Sequence, residues 1–144
     1  MRLSWCLKQK NGIELVEPND NLCDAYIEEA QRTLKNMLVA DGTWKVVMAY
    51  YACYHSLYAI LMKSGVKSEI HECTIELMSL LRFSSKDISY MRKLKDDRIQ
   101  AQYYLKKRDV DEEKVKSFVL LCFSLLKNIN VNAIRTAIEV HNEK

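Results

Sequence analysis

Three side chains sit where their chemistry does not suit the local pattern. Met91, Leu94, Arg98, Ala101 and Leu105 step along the chain by three and four residues, the spacing of one helix face. Arg98 stands in the middle of that apolar stripe. A guanidinium so placed either pairs with an acid, reaches to solvent, or waits in a cleft for an anion. The first option points to an acid of the first long helix, Glu28 foremost. The last would grip a phosphate or carboxylate through two parallel hydrogen bonds.

Histidine supplies the other two positions. His55 has Tyr51 four residues before it and Tyr58 three after it, all on one helix face. It is either a core histidine satisfied by tyrosine hydroxyls or an acid–base group in a polar cavity. His71 stands near the start of a predicted helix, where the positive dipole end favours neutral imidazole. His55, His71 and His141 have no metal-ligand spacing. His71-Glu72-Cys73 lacks the His-x-Glu order and the Cys-x-x-Cys of the zinc deaminases. Glycines only at 12, 42 and 65 leave no phosphate-binding glycine loop, and no Ser nucleophile elbow is present.

These residues need helices to position them. Three Gly and one Pro in 144 residues are too few for the turns of an all-β fold. The apolar share, 49%, is enough to build one core at this length. The fold class predicted is therefore all-α, an up-and-down bundle of four to five helices in one domain over 19–144. Residues 1–18 precede it as a short hairpin, signalled by Asn11-Gly12, or as an irregular arm.

Periodicity places helices at about 20–40, 44–64, 68–82, 84–108 and from 109 or 111 onward, with a last piece at 131–141. Pro18-Asn19-Asp20, Ser68 and Ser84 offer caps, Ser84 with Asp87 as a capping box. Gly65 is a helix stop. The second helix is apolar on all sides from Val46 to Met62 except at His55 and Ser56. Its tyrosines 50, 51, 54 and 58 argue for a bundle centre over a membrane span. Ala49, Cys53, Ser56 and Ala59 line one side and let a neighbour approach closely.

A net charge of +3 marks no bulk polyanion binder. The charge is uneven, however. Residues 11–31 carry six acids and no base, and 92–108 carry seven bases against Asp96 and Asp97. These stretches are expected to attract one another, or the basic one to attract phosphate. Five scattered cysteines, an odd count without Cys-x-x-Cys, read as free thiols in a reducing cytoplasm. Met1–Lys10 lacks the apolar run of a signal peptide.

Ala49-Tyr50-Tyr51-Ala52-Cys53-Tyr54-His55-Ser56-Leu57-Tyr58-Ala59 resembles the second helix of HEPN domains. Lys67-Ser68-Glu69-Ile70-His71 resembles the turn that follows it in one branch. Asp97-Arg98-Ile99-Gln100-Ala101-Gln102-Tyr103-Tyr104 falls where that family carries Arg-x4-6-His. The likeness spans about residues 20–130. It implies a four- or five-helix bundle that commonly dimerises and is often encoded beside a minimal nucleotidyltransferase. In toxin members Arg and His cleave RNA without a metal, and a tyrosine beside the motif is nucleotidylated in some relatives.

Arg98 matches the motif Arg, but Tyr103 and Tyr104 stand where the His belongs, so this chain resembles an Arg-x4-Tyr branch. Tyrosine, with a pKa near 10, is a poor general base. Residues 98 and 103 also lie about 140° apart on a helix and can share only a wide cleft. The resemblance thus implies catalytic roles for Arg98, Tyr103 and His71. It implies RNA or nucleotide binding by Arg98, Gln102, Tyr103, Tyr104, His55 and Tyr51. No cofactor or metal is implied. The partners are a minimal nucleotidyltransferase-type protein, RNA or nucleotide, and a second copy of the chain, with no membrane.

Two rivals remain open at this point. A non-catalytic dimeric module would bury Arg98 in an ion pair and sequester a partner protein. A ligand-binding bundle would use Tyr51, Tyr54, His55 and Tyr58, and requires a cavity beside them.

Overall fold

A computed structural model describes residues 2–142. Seven α-helices and one two-stranded ladder follow one another as α1 (Arg2–Lys8), β1 (Ile13–Leu15), α2 (Asp20–Val39), α3 (Gly42–Ser64), β2 (Val66–Ser68), α4 (His71–Leu77), α5 (Ser85–Tyr104), α6 (Glu112–Lys127) and α7 (Val131–Asn142). The all-α expectation holds for the bulk of the chain. The ladder is its one addition.

α3 is the hub. It packs against α2, α5, α6 and α7, as its all-round apolar sequence requires. Leu57, Ile60 and Leu61 are fully buried, each worth about 1.5–3 kcal/mol of burial. Ala49, Cys53, Ser56 and Ala59 are buried too. The Ser56 and Ser64 hydroxyls donate to the carbonyls of Ala52 and Ile60, both 2.8 Å, so neither leaves an unpaired polar group in the core.

Caps set most boundaries where the sequence places them. Asn19 Oδ1 accepts from the Leu22 amide at 2.9 Å. Ser84 and Asp87 form the reciprocal capping box. Asp111 accepts from the Lys114 amide. Gly65 ends α3 in the left-handed conformation, φ 70°. A Cβ there would strike Arg135 Nη1 and the Val16 carbonyl, so only glycine fits. That Arg135 nitrogen, from α7, faces the carbonyl oxygens of Val16, Ser64 and Gly65 at 2.7–3.1 Å.

Several local expectations are corrected. Residues 2–15 form neither a hairpin nor an irregular arm: Asn11-Gly12 does turn the chain, with Asn11 at φ 63°. The strand beyond it pairs with β2 instead, Ile13 opposite Ser68 and Leu15 opposite Val66. A remote partner satisfies the strand better than the neighbouring helix α1 can. Ser68 is therefore a strand residue rather than a cap. The helix predicted over 68–82 starts at His71 and tightens to a 3₁₀ turn at Met78–Leu80.

Helix α5 stops at Tyr104 rather than Arg108, because Leu105 turns left-handed at φ 52°. The Lys106 amide then bonds back to the Gln100 carbonyl. α7 turns away from α6 by 99°, so it packs separately.

The cysteine reading is also overturned. Cys6 and Cys73 are joined in a disulfide, Cα–Cα 5.7 Å, across 67 residues. Packing of α1 on α4 creates that proximity, and no spacing rule reveals it. Cys23, Cys53 and Cys122 are free and buried. No single helix among the described residues is long and apolar enough to cross a membrane.

Candidate functional site

The site forms where α5 and the start of α4 meet the tyrosine face of α3. Arg98 reaches this face from α5. Its Cζ lies 5.0 Å from the Tyr50 ring centroid and 5.6 Å from that of Tyr51. Nη1 donates to the Tyr51 hydroxyl at 3.3 Å, and Nε is buried with no partner. Cation–π contact over two rings stabilises the guanidinium without neutralising it.

Among the described residues no acid pairs with Arg98, so the predicted Arg98–Glu28 ion pair does not form. The neighbouring acid, Asp97, is buried and takes Lys93 Nζ at 2.7 Å and Arg108 Nε at 3.4 Å instead. Nor do the acidic and basic stretches attract each other as expected. Arg92 pairs with Glu72 and Glu76, and Lys95 with Glu72, all within α4 and α5. Burial alone would push the Glu72 carboxyl up, but hydrogen bonds from Lys95 and Arg92 outweigh it and hold the pKa down. These pairs fix the first turn of α4 against α5.

That turn begins with His71. Its Nδ1 is hydrogen-bonded to the Tyr50 hydroxyl at 2.8 Å. Its ring stacks on Tyr54, centroids 4.3 Å apart, and meets the edge of Tyr51 at 6.2 Å. Burial lowers its pKa below the usual histidine value, and the charges of Arg98 and Lys95 lower it further. His71 is neutral at pH 7.

His55 also packs on Tyr51. Its ring is 5.6 Å from Tyr51 and 5.7 Å from Tyr26. The expectation that tyrosine hydroxyls satisfy it is not met: Nδ1 is buried and has no partner. Burial lowers its pKa also, against a small opposing pull from Glu29.

A cleft of about 700 Å³ opens over these rings. Tyr26, Tyr51, Tyr54, His55, Tyr58 and His71 form its wall, and Glu17, Lys67 and Glu69 bring charge to it, Lys67 pairing with Glu69 at 3.4 Å. A cavity of this size accepts a small organic ligand. The cavity that a ligand-binding reading of the α3 tyrosines requires is thus present. Its back is held by a chain of hydroxyls. Tyr54 bonds Thr74 at 3.0 Å, Thr74 bonds Ser68 at 2.8 Å, and the Ser68 amide donates to the Tyr58 hydroxyl at 3.1 Å.

The structure thus joins Arg98, Tyr51, His55 and His71, from three helices. It does not join Tyr103 and Tyr104 to them. Those residues close α5 at 65% and 66% exposure, with no hydrogen bond or ring contact to Arg98 among the described residues. Gln102 is half-buried one turn past Arg98, and its Oε1 is buried without a partner. Tyr50 and Tyr26 are the residues that sequence reasoning missed. Tyr50, Tyr54 and Tyr58 recur every four residues, and three phenols on one buried stripe demand polar partners. That was the available signal for Tyr50; Tyr26 had none.

The sequence matches the HEPN domain family over residues 23–129. The chain belongs to that family. A comparison with curated proteins finds no match. Arg98, both cleft histidines and the α3 tyrosines all fall within the HEPN segment, whereas α1, β1 and α7 lie outside it.

Proposed function

We propose that this HEPN domain binds RNA or a nucleotide, with a base among the cleft aromatics and a phosphate at Arg98. The observation that carries this reading is Arg98 itself: a guanidinium packed against Tyr51, whose ring lines the aromatic cleft, with no acid paired to it among the described residues. Unstacked bases bind by stacking on tyrosine and histidine rings, about 1–3 kcal/mol each. Arginine complements phosphate geometry. The absence of an Arg98 ion pair among the described residues speaks against a module in which Arg98 is only a structural charge. Dimerisation and a minimal nucleotidyltransferase-type partner belong to this proposal on the family likeness alone.

Metal-independent RNA cleavage is the second reading, and His55 favours it. Its imidazole lines the cleft and burial favours its neutral form, so it is the candidate for the base that Tyr103 is poorly suited to be. The test is an AMP titration and an RNA cleavage assay in EDTA, both repeated with Arg98→Ala. Binding that Arg98→Ala abolishes supports the proposal. Equal binding by parent and variant removes Arg98 from the site. Cleavage that survives EDTA and is lost in Arg98→Ala establishes the nuclease.

A further inference from the structure

Tyr50 packs behind the cleft wall and never meets solvent. Its exposure is 0%, so its hydroxyl cannot bond to bulk water. Two polar neighbours approach it, Arg98 and His71. A guanidinium only donates and cannot take the phenol proton. Among the described residues the hydroxyl has one hydrogen-bond partner, His71 Nδ1 at 2.8 Å. Burial, above all, raises the Tyr50 pKa strongly against the opposing pull of Arg98, so the phenol keeps its proton. A buried O–H with a single acceptor donates to it. Nδ1 is therefore the acceptor, and neutral His71 carries its own proton on Nε2.

The same logic orients Tyr51. Arg98 Nη1 donates to its oxygen, which leaves the Tyr51 proton to point elsewhere. Tyr51 and His71 both line the cleft.

We propose that Tyr50 is a positioning residue that fixes His71 as the Nε2–H tautomer, so that Arg98, the Tyr51 hydroxyl and His71 form a donor-only seat for a phosphoryl oxygen. This rests on the nucleotide reading above and sharpens it. His71 then holds a phosphate and is not a general base, and any base for cleavage must be His55. The groups around His71 agree with a neutral donor. Tyr50, Tyr51, Tyr54 and His55 face it from α3, and Arg98 and Lys95 act on it from α5. Glu72, the adjacent acid, is already engaged by Arg92 and Lys95.

The experiment is two-bond ¹H–¹⁵N correlation NMR of the uniformly labelled full chain, with His71→Gln to assign the ring. The expected parent spectrum shows His71 protonated at Nε2. Tyr50→Phe keeps the ring beneath Arg98 and removes only the hydroxyl. It is expected to mix the two tautomers, raise the His71 pKa and weaken AMP binding about tenfold. A parent His71 protonated at Nδ1, or a tautomer unchanged in Tyr50→Phe, overturns the assignment.

Titrations with inorganic phosphate and with AMP then separate the two claims. Phosphate that shifts the His71 Nε2 signal, with no binding of AMP, upholds the seat and removes the nucleotide reading. AMP that binds without moving His71 upholds the nucleotide reading and overturns the seat. Neither probe moving His71 overturns the seat.

Discussion

Helix α5 carries both parts of the Arg-x4-Tyr spelling, and the two sit in different surroundings. Around Arg98 it is pressed against α3 and α4, and its neighbours are Tyr50, Tyr51 and His71, all at least 27 residues away in sequence. Five residues on, Tyr103 and Tyr104 stand in solvent, beside a left-handed Leu105 that ends the helix. The Arg-x4-Tyr spelling suggests a pair acting together. The helix geometry separates them, and the residues that do surround Arg98 come from other elements. A motif written along one helix names positions, but a site is made by whatever packs over them.

Opening the disulfide is the harshest test of that contrast. A closed loop of 67 residues contributes roughly 4 kcal/mol through the unfolded state. Cys6→Ser, or reduction, should lower the melting temperature by about 10 °C. Hydrogen exchange should rise in α1 and in α4, which carries His71 two residues before Cys73, and stay unchanged at Tyr103–Tyr104. An unchanged melting temperature would mean the bond constrains nothing.

Next in size is Arg98→Ala, which removes charge-assisted hydrogen bonds to a phosphate. AMP affinity should fall between about tenfold and a hundredfold by calorimetry. The melting temperature should drop by only a few degrees, since the fold loses cation–π contacts of about 1–2 kcal/mol and one long hydrogen bond to Tyr51. A sharp thermal loss with intact binding would restore the structural role and dissolve the distinction between the two ends of α5.

Acid should act on the cleft and not on the helix end. His55 and His71 are both held below the usual histidine pKa, chiefly by burial. The unfolded chain therefore takes up protons first as pH falls through about 6.5. The stability these groups supply is complete above that pH and is lost as pH falls through their lowered native values. Urea midpoints should fall accordingly, and less steeply in the His55→Gln/His71→Gln double variant. A profile equally steep in that variant would assign the acid sensitivity to other groups. The smallest effect belongs to Tyr103→Phe and Tyr104→Phe. Each should leave AMP affinity within about twofold and stability within about 0.5 kcal/mol.

Much of this was legible in order along the chain. The apolar run 46–62 marked the central helix because a helix with no polar face has nowhere to go but the middle. Ser84-x-x-Asp87 and Gly65 set helix ends because capping is local chemistry. Arg98 and His55 were visible as misfits against a regular pattern. The rest needed three dimensions. Nothing near Ile13 showed that its ladder partner is Ser68, nor that α5 would stop at Tyr104, since leucine is a poor residue for the left-handed region.

The sequence by itself determined the helical class, the family likeness and the position of Arg98 as a misfit in an apolar stripe. Those rest on periodicity, capping and side-chain type, which act over a few residues. Tertiary structure decided which groups the arginine meets, which nitrogen of His71 is engaged, and that Cys6 reaches Cys73. Those depend on contacts across 21 to 67 residues, where packing of whole helices, and not local preference, sets the distances.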